Sequence, residues 1–147
     1  MTARPSRETW IGIAATALAV AAMAVDHLMG DDAPILEDPA AFLLASLLCV
    51  SLALFVFGRL VPRTKESQDA PVLAAKRGAA LSVVAAVGMF LLFWLGVPFV
   101  LGAGGVALGL VGLEGERRRL ATAAAILGGL VVVLGTLGYA AQFIDKL

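Results

Sequence analysis

Ten of the eleven Lys and Arg residues in this chain fall into alternate gaps between long apolar runs. Arg4 and Arg7 precede the first run. Arg59, Arg63, Lys65, Lys76 and Arg77 surround the second gap, and Arg117, Arg118 and Arg119 fill the fourth. The first gap has no basic residue, and the third, around Gly96-Val97-Pro98, has no charge. Cationic loops resist translocation and stay on the cytoplasmic side, so this alternation marks a polypeptide threaded repeatedly through a membrane. It constrains class and orientation but points to no activity.

Composition agrees. Of 147 residues, 61 % are hydrophobic and only 15 % charged, with a mean hydropathy of +0.96. A soluble domain is about 45–50 % apolar and about 25 % charged, so this chain has more apolar side chain than a soluble fold of its size can bury. Lipid must solvate the rest. No gap is long enough to fold as a soluble domain, and the single Cys49 excludes a disulfide within the chain.

A bilayer core of about 30 Å takes about 20 helical residues. The expected spans are 10–29, 40–61, 75–95, 98–113 and 120–144. Asp38-Pro39 is a favourable start for the second, an acceptor at the N-cap followed by a proline whose missing N–H costs nothing in the first turn. Pro62 is expected to end that helix or follow it, with Arg59 snorkelling nearby. Residues 79–113 read as one helix would run roughly 50 Å, too long for a single crossing. Basic residues at both ends of that stretch demand an even number of crossings, which places a turn at Gly96-Val97-Pro98 beside Trp94 and Phe99.

The expected fold is therefore all-α: one polytopic helical bundle over 1–147 with five transmembrane helices, N-terminus inside and C-terminus outside. An alternative is a four-helix mature protein, because residues 1–24 also read as a secretory signal ending in Ala22-Met23-Ala24. In lipid, helices associate where small residues let backbones approach. Gly102, Gly105, Gly109 and Gly112, spaced three, four and three apart, share one helical face. Ala121, Ala124, Gly128, Gly135 and Gly138 answer on the next helix, and a close antiparallel hairpin between the two is expected.

Chemistry-bearing residues are sparse. No expected span has an ionisable residue near its middle, the usual mark of a pump or channel, and an odd number of helices offers no obvious inverted repeat. Neither H-E-x-x-H nor G-x-S-x-G occurs, and the glycines of Gly102-Ala103-Gly104-Gly105 lack the Lys-Ser or Lys-Thr of a phosphate loop. The best candidate metal or proton site is Asp26, His27, Asp31 and Asp32, one imidazole and three carboxylates near the outer surface. The plainer account is a helix reaching the interface beside an ordinary acidic loop. Arg117, Arg118 and Arg119 could grip anionic lipid headgroups, at about 1 kcal/mol for each basic residue near such a surface, or simply hold their loop inside.

From Pro98 to Tyr139 the chain reads Pro-Phe-Val-Leu-Gly-Ala-Gly-Gly-Val-Ala-Leu-Gly-Leu, then Gly-Glu-Arg-Arg-Arg-Leu-Ala-Thr-Ala-Ala-Ala-Ile-Leu-Gly-Gly-Leu. This stretch resembles the uncharacterised small membrane domains, frequent in actinobacteria, that pair two Gly/Ala-rich spans around a short Arg-rich turn. That family's turn often carries a glycine just before the final helix, where this chain has Leu120-Ala121. The resemblance implies a hairpin in a bacterial plasma membrane and no assigned activity.

The expected function is a non-enzymatic structural or accessory subunit of a membrane assembly. The alternatives are a small oligomeric transporter or channel subunit, and an envelope metal or pH sensor acting through the outer acidic loop. Expected partners are the lipid bilayer and other membrane subunits or further copies of the chain. No cofactor and no nucleic acid is expected.

Overall fold

The computed structural model describes residues 6–29 and 38–145. Among these residues, five helical legs run between two ends of a bundle: α1 (Arg7–Met29), α2 (Pro39–Phe55) continued through a π turn (Val56–Leu60) into α3 (Val61–Lys65), α4 (Ala70–Leu91), α5 (Val97–Gly112) and α6 (Arg118–Asp145). Four of them are long and apolar enough to cross a membrane: Arg7–Val25, Pro39–Lys65, Ala70–Leu91 and Arg118–Asp145. α5 is apolar but shorter, at 16 residues. The start of α1 and the end of α3 come together at one end with the turn from α5 to α6, here called the basic end.

Local signals account for most boundaries. Ser6 caps α1, its Oγ accepting from the Thr9 N–H at 3.3 Å. Asp38 caps α2, accepting from the Ala40 N–H at 3.0 Å, with Pro39 in the first turn. These contacts satisfy donors that have no partner within the helix.

The second leg does not stop near Val61, as Pro62 had suggested. Proline lacks an N–H, and its ring crowds the carbonyl four residues back, here that of Gly58. The helix absorbs this by widening over Val56–Leu60, so that the Val61 N–H reaches the Val56 carbonyl. Inserted π turns of this kind relieve such crowding without ending a helix. Thr64 Oγ1 then donates to the Leu60 carbonyl at 2.6 Å, and the helix continues to Lys65.

The break after α4 falls where the glycine and proline place it. α4 ends at Leu91, a 3-10 turn spans Phe93–Leu95, and Gly96 sits at φ +66°. That left-handed backbone favours glycine. Space demands it as well, because a Cβ there would lie 3.1 Å from Ala19 Cβ and 3.3 Å from Cys49 Sγ.

α1, α2, α4 and α6 are each buried along a narrow stripe of mostly small residues. On α1 it is Ala15, Ala19 and Met23, and on α2 it is Ala45, Cys49 and Ala53. On α4 it is Gly78, Ser82, Ala85 and Gly88, and on α6 it is Ala121, Ala124, Gly128, Val131, Gly135 and Tyr139. Steps of three and four keep each set on one face. The remaining faces carry exposed Leu, Val, Ile and Phe, including Phe90 at 90 % and Leu44 at 68 %. Water would penalise such a surface, whereas lipid solvates it. α5 is buried on nearly every side, from Val97 through Gly112, because α4 and α6 pack along it and α1 and α2 cover the rest. A helix enclosed in this way is apolar all round.

Candidate functional site

The glycines of α5 do not form a single seam with α6. Gly102 and Gly109 do face α6. A Cβ on Gly102 would lie 2.8 Å from the Gly128 carbonyl, and one on Gly109 would lie 2.8 Å from the Ala121 carbonyl and the Ala125 N. Gly105 faces α4, where a Cβ would overlap Ser82 Oγ. Gly112 sits between both, where an added Cβ would lie 2.9 Å from Ala121 Cβ and from the Ala75 N. The stripe thus packs the expected α5–α6 hairpin and meets α4 as well, so that it forms a seam among three helices. The reason is angular: successive steps of three and four residues spread contact over an arc wide enough for two neighbours. Gly128 meets the backbone of Gly102. Gly135 and Gly138 instead make room for rings, Phe99 at 2.8 Å and Phe93 at 3.1 Å from an added Cβ. Sequence reasoning missed Gly78, where an added Cβ would lie 3.0 Å from the Gly109 N, and Gly104, where one would lie 2.7 Å from Val56 Cγ1.

Buried polar side chains stitch this seam. Ser82 is fully buried, and its Oγ donates to the Ala124 carbonyl at 2.7 Å, tying α4 to α6. Cys49 Sγ donates to the Leu95 carbonyl at 2.8 Å, tying α2 to the 3-10 turn. Tyr139 Oη donates to the Phe93 carbonyl at 3.0 Å while its ring stacks on Phe93 at 4.6 Å. The Leu95 carbonyl belongs to a helix end, which leaves acceptors without a partner inside the helix, and the Phe93 carbonyl also accepts from the Gly96 N–H at 3.3 Å. Among the described residues, Ser46 Oγ is buried with no hydrogen-bond partner.

Tyr139→Phe keeps the stacked ring and removes only the hydroxyl. It is expected to cost about 0.6 kcal/mol, the average for a side-chain hydrogen bond between membrane helices. Unfolding in mild detergent measures this, and a loss well above about 2 kcal/mol would give the hydroxyl a larger role than this bond.

The basic end holds a second set of polar contacts. Lys65 Nζ and Glu8 Oε1 form an ion pair at 3.0 Å, joining α3 to α1. Arg77 donates to Thr64 Oγ1 at 2.8 Å, joining α4 to α3. Nothing in the spacing of these residues announced either pair. Arg117, Arg118 and Arg119 are exposed, immediately before and within the first turn of α6. Cations at a helix N-terminus oppose the helix dipole, by about 0.3–1 kcal/mol each, so the triplet is not there to stabilise α6.

At the opposite end, the proposed cluster of Asp26, His27, Asp31 and Asp32 lies mostly outside the described residues, which exclude Asp31, Asp32 and the side chain of Asp26. His27 is half-buried, and its ring stacks on Phe42 of α2 with centroids 4.9 Å apart and planes 15° apart. No group of three or more His, Cys, Asp or Glu able to hold a metal occurs among the described residues.

Comparison of the chain with known protein families, curated proteins and solved structures returns no match.

Proposed function

We propose that this protein is a five-pass component of a bacterial plasma membrane, with its N-terminus cytoplasmic, and that it serves as a structural or accessory subunit rather than an enzyme. It would belong with the small Gly/Ala-rich membrane domains that residues 98–139 resemble. The observation that carries this reading is how the buried polar groups are used. Ser82, Cys49 and Tyr139 each donate to a main-chain carbonyl of another helical segment, which is a role in holding helices together. α5 is the fourth crossing on this reading. Its 16 residues span about 24 Å, less than the about 30 Å of a hydrocarbon core. Enclosure by four other legs shields its ends from lipid. The gathering of Arg7, Lys65, Arg77 and the Arg117–Arg119 triplet at one end supports the inside assignment.

Reporter fusions after Asp32, Ser67, Val97 and Glu116 test the topology. Ser67 and Glu116 are expected to report the cytoplasm, and Asp32 and Val97 the far side. Ser67 and Glu116 in different compartments would overturn it. Purification in mild detergent tests the role: foreign membrane subunits at fixed stoichiometry are expected, whereas a homo-oligomer with a polar axis would favour a channel or transporter subunit.

A further inference from the structure

An apolar groove of about 410 Å³ runs between α1 and the second leg, lined by Gly12, Ile13, Thr16, Val50, Leu54 and Gly58 among others. Two features create it. The Phe57 ring turns onto Gly12, where an added Cβ would lie 2.5 Å from the ring. Gly58, inside the π turn, puts no side chain into the space, and a Cβ there would meet nothing within 4 Å. From Thr9 to Ala17 the groove extends roughly 12 Å along α1 at 1.5 Å per residue.

Toward the basic end the groove opens into a smaller hollow of about 250 Å³ that shares Thr9 and Phe57 with it. The character changes there. The hollow is bordered by the ammonium of Lys65, the carboxylates of Glu8 and Glu66, and the hydroxyls of Ser6 and Thr9. α1 begins and α3 ends at this level, where a membrane-crossing leg meets water.

An apolar slot at span depth, with a mouth of mixed charge at the interface, has the profile of one lipid molecule. We propose that the groove holds an acyl chain of a zwitterionic, amine-bearing phospholipid, its headgroup seated over Ser6, Thr9, Lys65 and Glu66. The lipid phosphate would share the Lys65 ammonium with Glu8, joining their 3.0 Å ion pair, and reach the hydroxyls, while the lipid ammonium would take Glu66. Two carboxylates against one ammonium disfavour a headgroup that carries only negative charge. The inference requires that α1 and α2 cross a bilayer. It does not require the orientation or the accessory role proposed above.

Native mass spectrometry of the full chain, delipidated in mild detergent and titrated with phosphatidylethanolamine or phosphatidylglycerol, tests it. A single phosphatidylethanolamine adduct is expected, preferred over phosphatidylglycerol by about tenfold, the ratio that one charge-assisted hydrogen bond supplies. Gly58→Leu should abolish that adduct with the melting temperature unchanged, since the new side chain enters open space. Glu66→Lys, at the exposed end of α3, should reverse the headgroup preference. Phosphatidylglycerol binding wild type as tightly as phosphatidylethanolamine would overturn the proposal. So would an adduct that survives Gly58→Leu undiminished. A partner protein cross-linking to this groove through Gly58→Cys would also overturn it, showing that a helix and not a lipid occupies the site.

Discussion

Gly128→Leu is expected to abolish the native packing of α4, α5 and α6, whereas Gly129→Leu, one residue on, is expected to leave stability close to wild type. At Gly128 an added Cβ would overlap the Gly102 carbonyl and lie 3.0 Å from Ser82 Oγ and 3.2 Å from the Val106 N. Two of those three atoms are main chain, so no rotamer change relieves the contact, and α5 and α6 must move apart. Separation would also stretch the Ser82 bond to the Ala124 carbonyl. Overpacking of a well-filled core costs about 1–3 kcal/mol and at times more. A backbone clash at a three-helix seam belongs at or above the upper figure, against a total stability of order 5–15 kcal/mol. At Gly129 the nearest atom to an added Cβ is Val106 Cγ2 at 3.9 Å, an ordinary contact. Thermal unfolding and size-exclusion profiles of both variants in mild detergent measure the contrast. Equal melting temperatures would rule out this seam as the core of the bundle.

Phe99→Ala is expected to cost about 2–3 kcal/mol, and here the bilayer changes the arithmetic. Phe99 is 1 % exposed and among the largest fully buried side chains. Its ring lies 5.8 Å from that of Tyr139 and occupies the space left by Gly135. In a soluble core Phe→Ala costs about 3–5 kcal/mol, part of it the lost transfer from water. For a bundle that comes apart within lipid, the separated helix places Phe99 among acyl chains, so the transfer part largely disappears. What remains is the cavity and the lost dispersion contacts around it. Denaturant unfolding in lipid-like detergent reads the difference. A cost below about 1 kcal/mol would mean that the site collapses to fill the void.

The parts of the fold legible in the sequence are those set by local rules. The start of α2 at Asp38-Pro39 follows from one acceptor and one imino acid acting within a single turn. The break at Gly96-Val97-Pro98 follows from length, since residues 79–113 could not form one crossing helix, and from the left-handed backbone that Gly96 alone supplies there. Pro62 misled for the same reason that local rules usually succeed. Its penalty is local, but the relief through a π turn draws on Val56 and on Thr64, and nothing about Pro62 itself announces it.

The contents of the seam were only half legible. Three- and four-residue glycine spacing placed Gly102, Gly105, Gly109 and Gly112 on a face, but not against which neighbour. Ala103, Gly104 and Ala107, outside that spacing, were the available signal that α5 is enclosed: together with Gly102, Gly105, Gly109 and Gly112 they place small residues around most of the helix. Partners of the polar side chains were not legible at all. Ser82 with Ala124, Cys49 with Leu95, Tyr139 with Phe93 and Lys65 with Glu8 lie 42, 46, 46 and 57 residues apart, and periodicity carries no information over such separations.

By itself, then, the order of residues determined that this chain is helical, apolar beyond what water tolerates, and divided into legs whose basic ends gather on one side. Those properties depend on how each segment meets its solvent, and a segment carries that information alone. Only the tertiary structure decided that α5 lies at the centre, that its glycines serve two neighbours, and that a groove opens beside Gly58. In lipid, apolar surface does not discriminate an inward face from an outward one, so the choice falls to close backbone approach and a few hydrogen bonds, which exist only once distant segments meet.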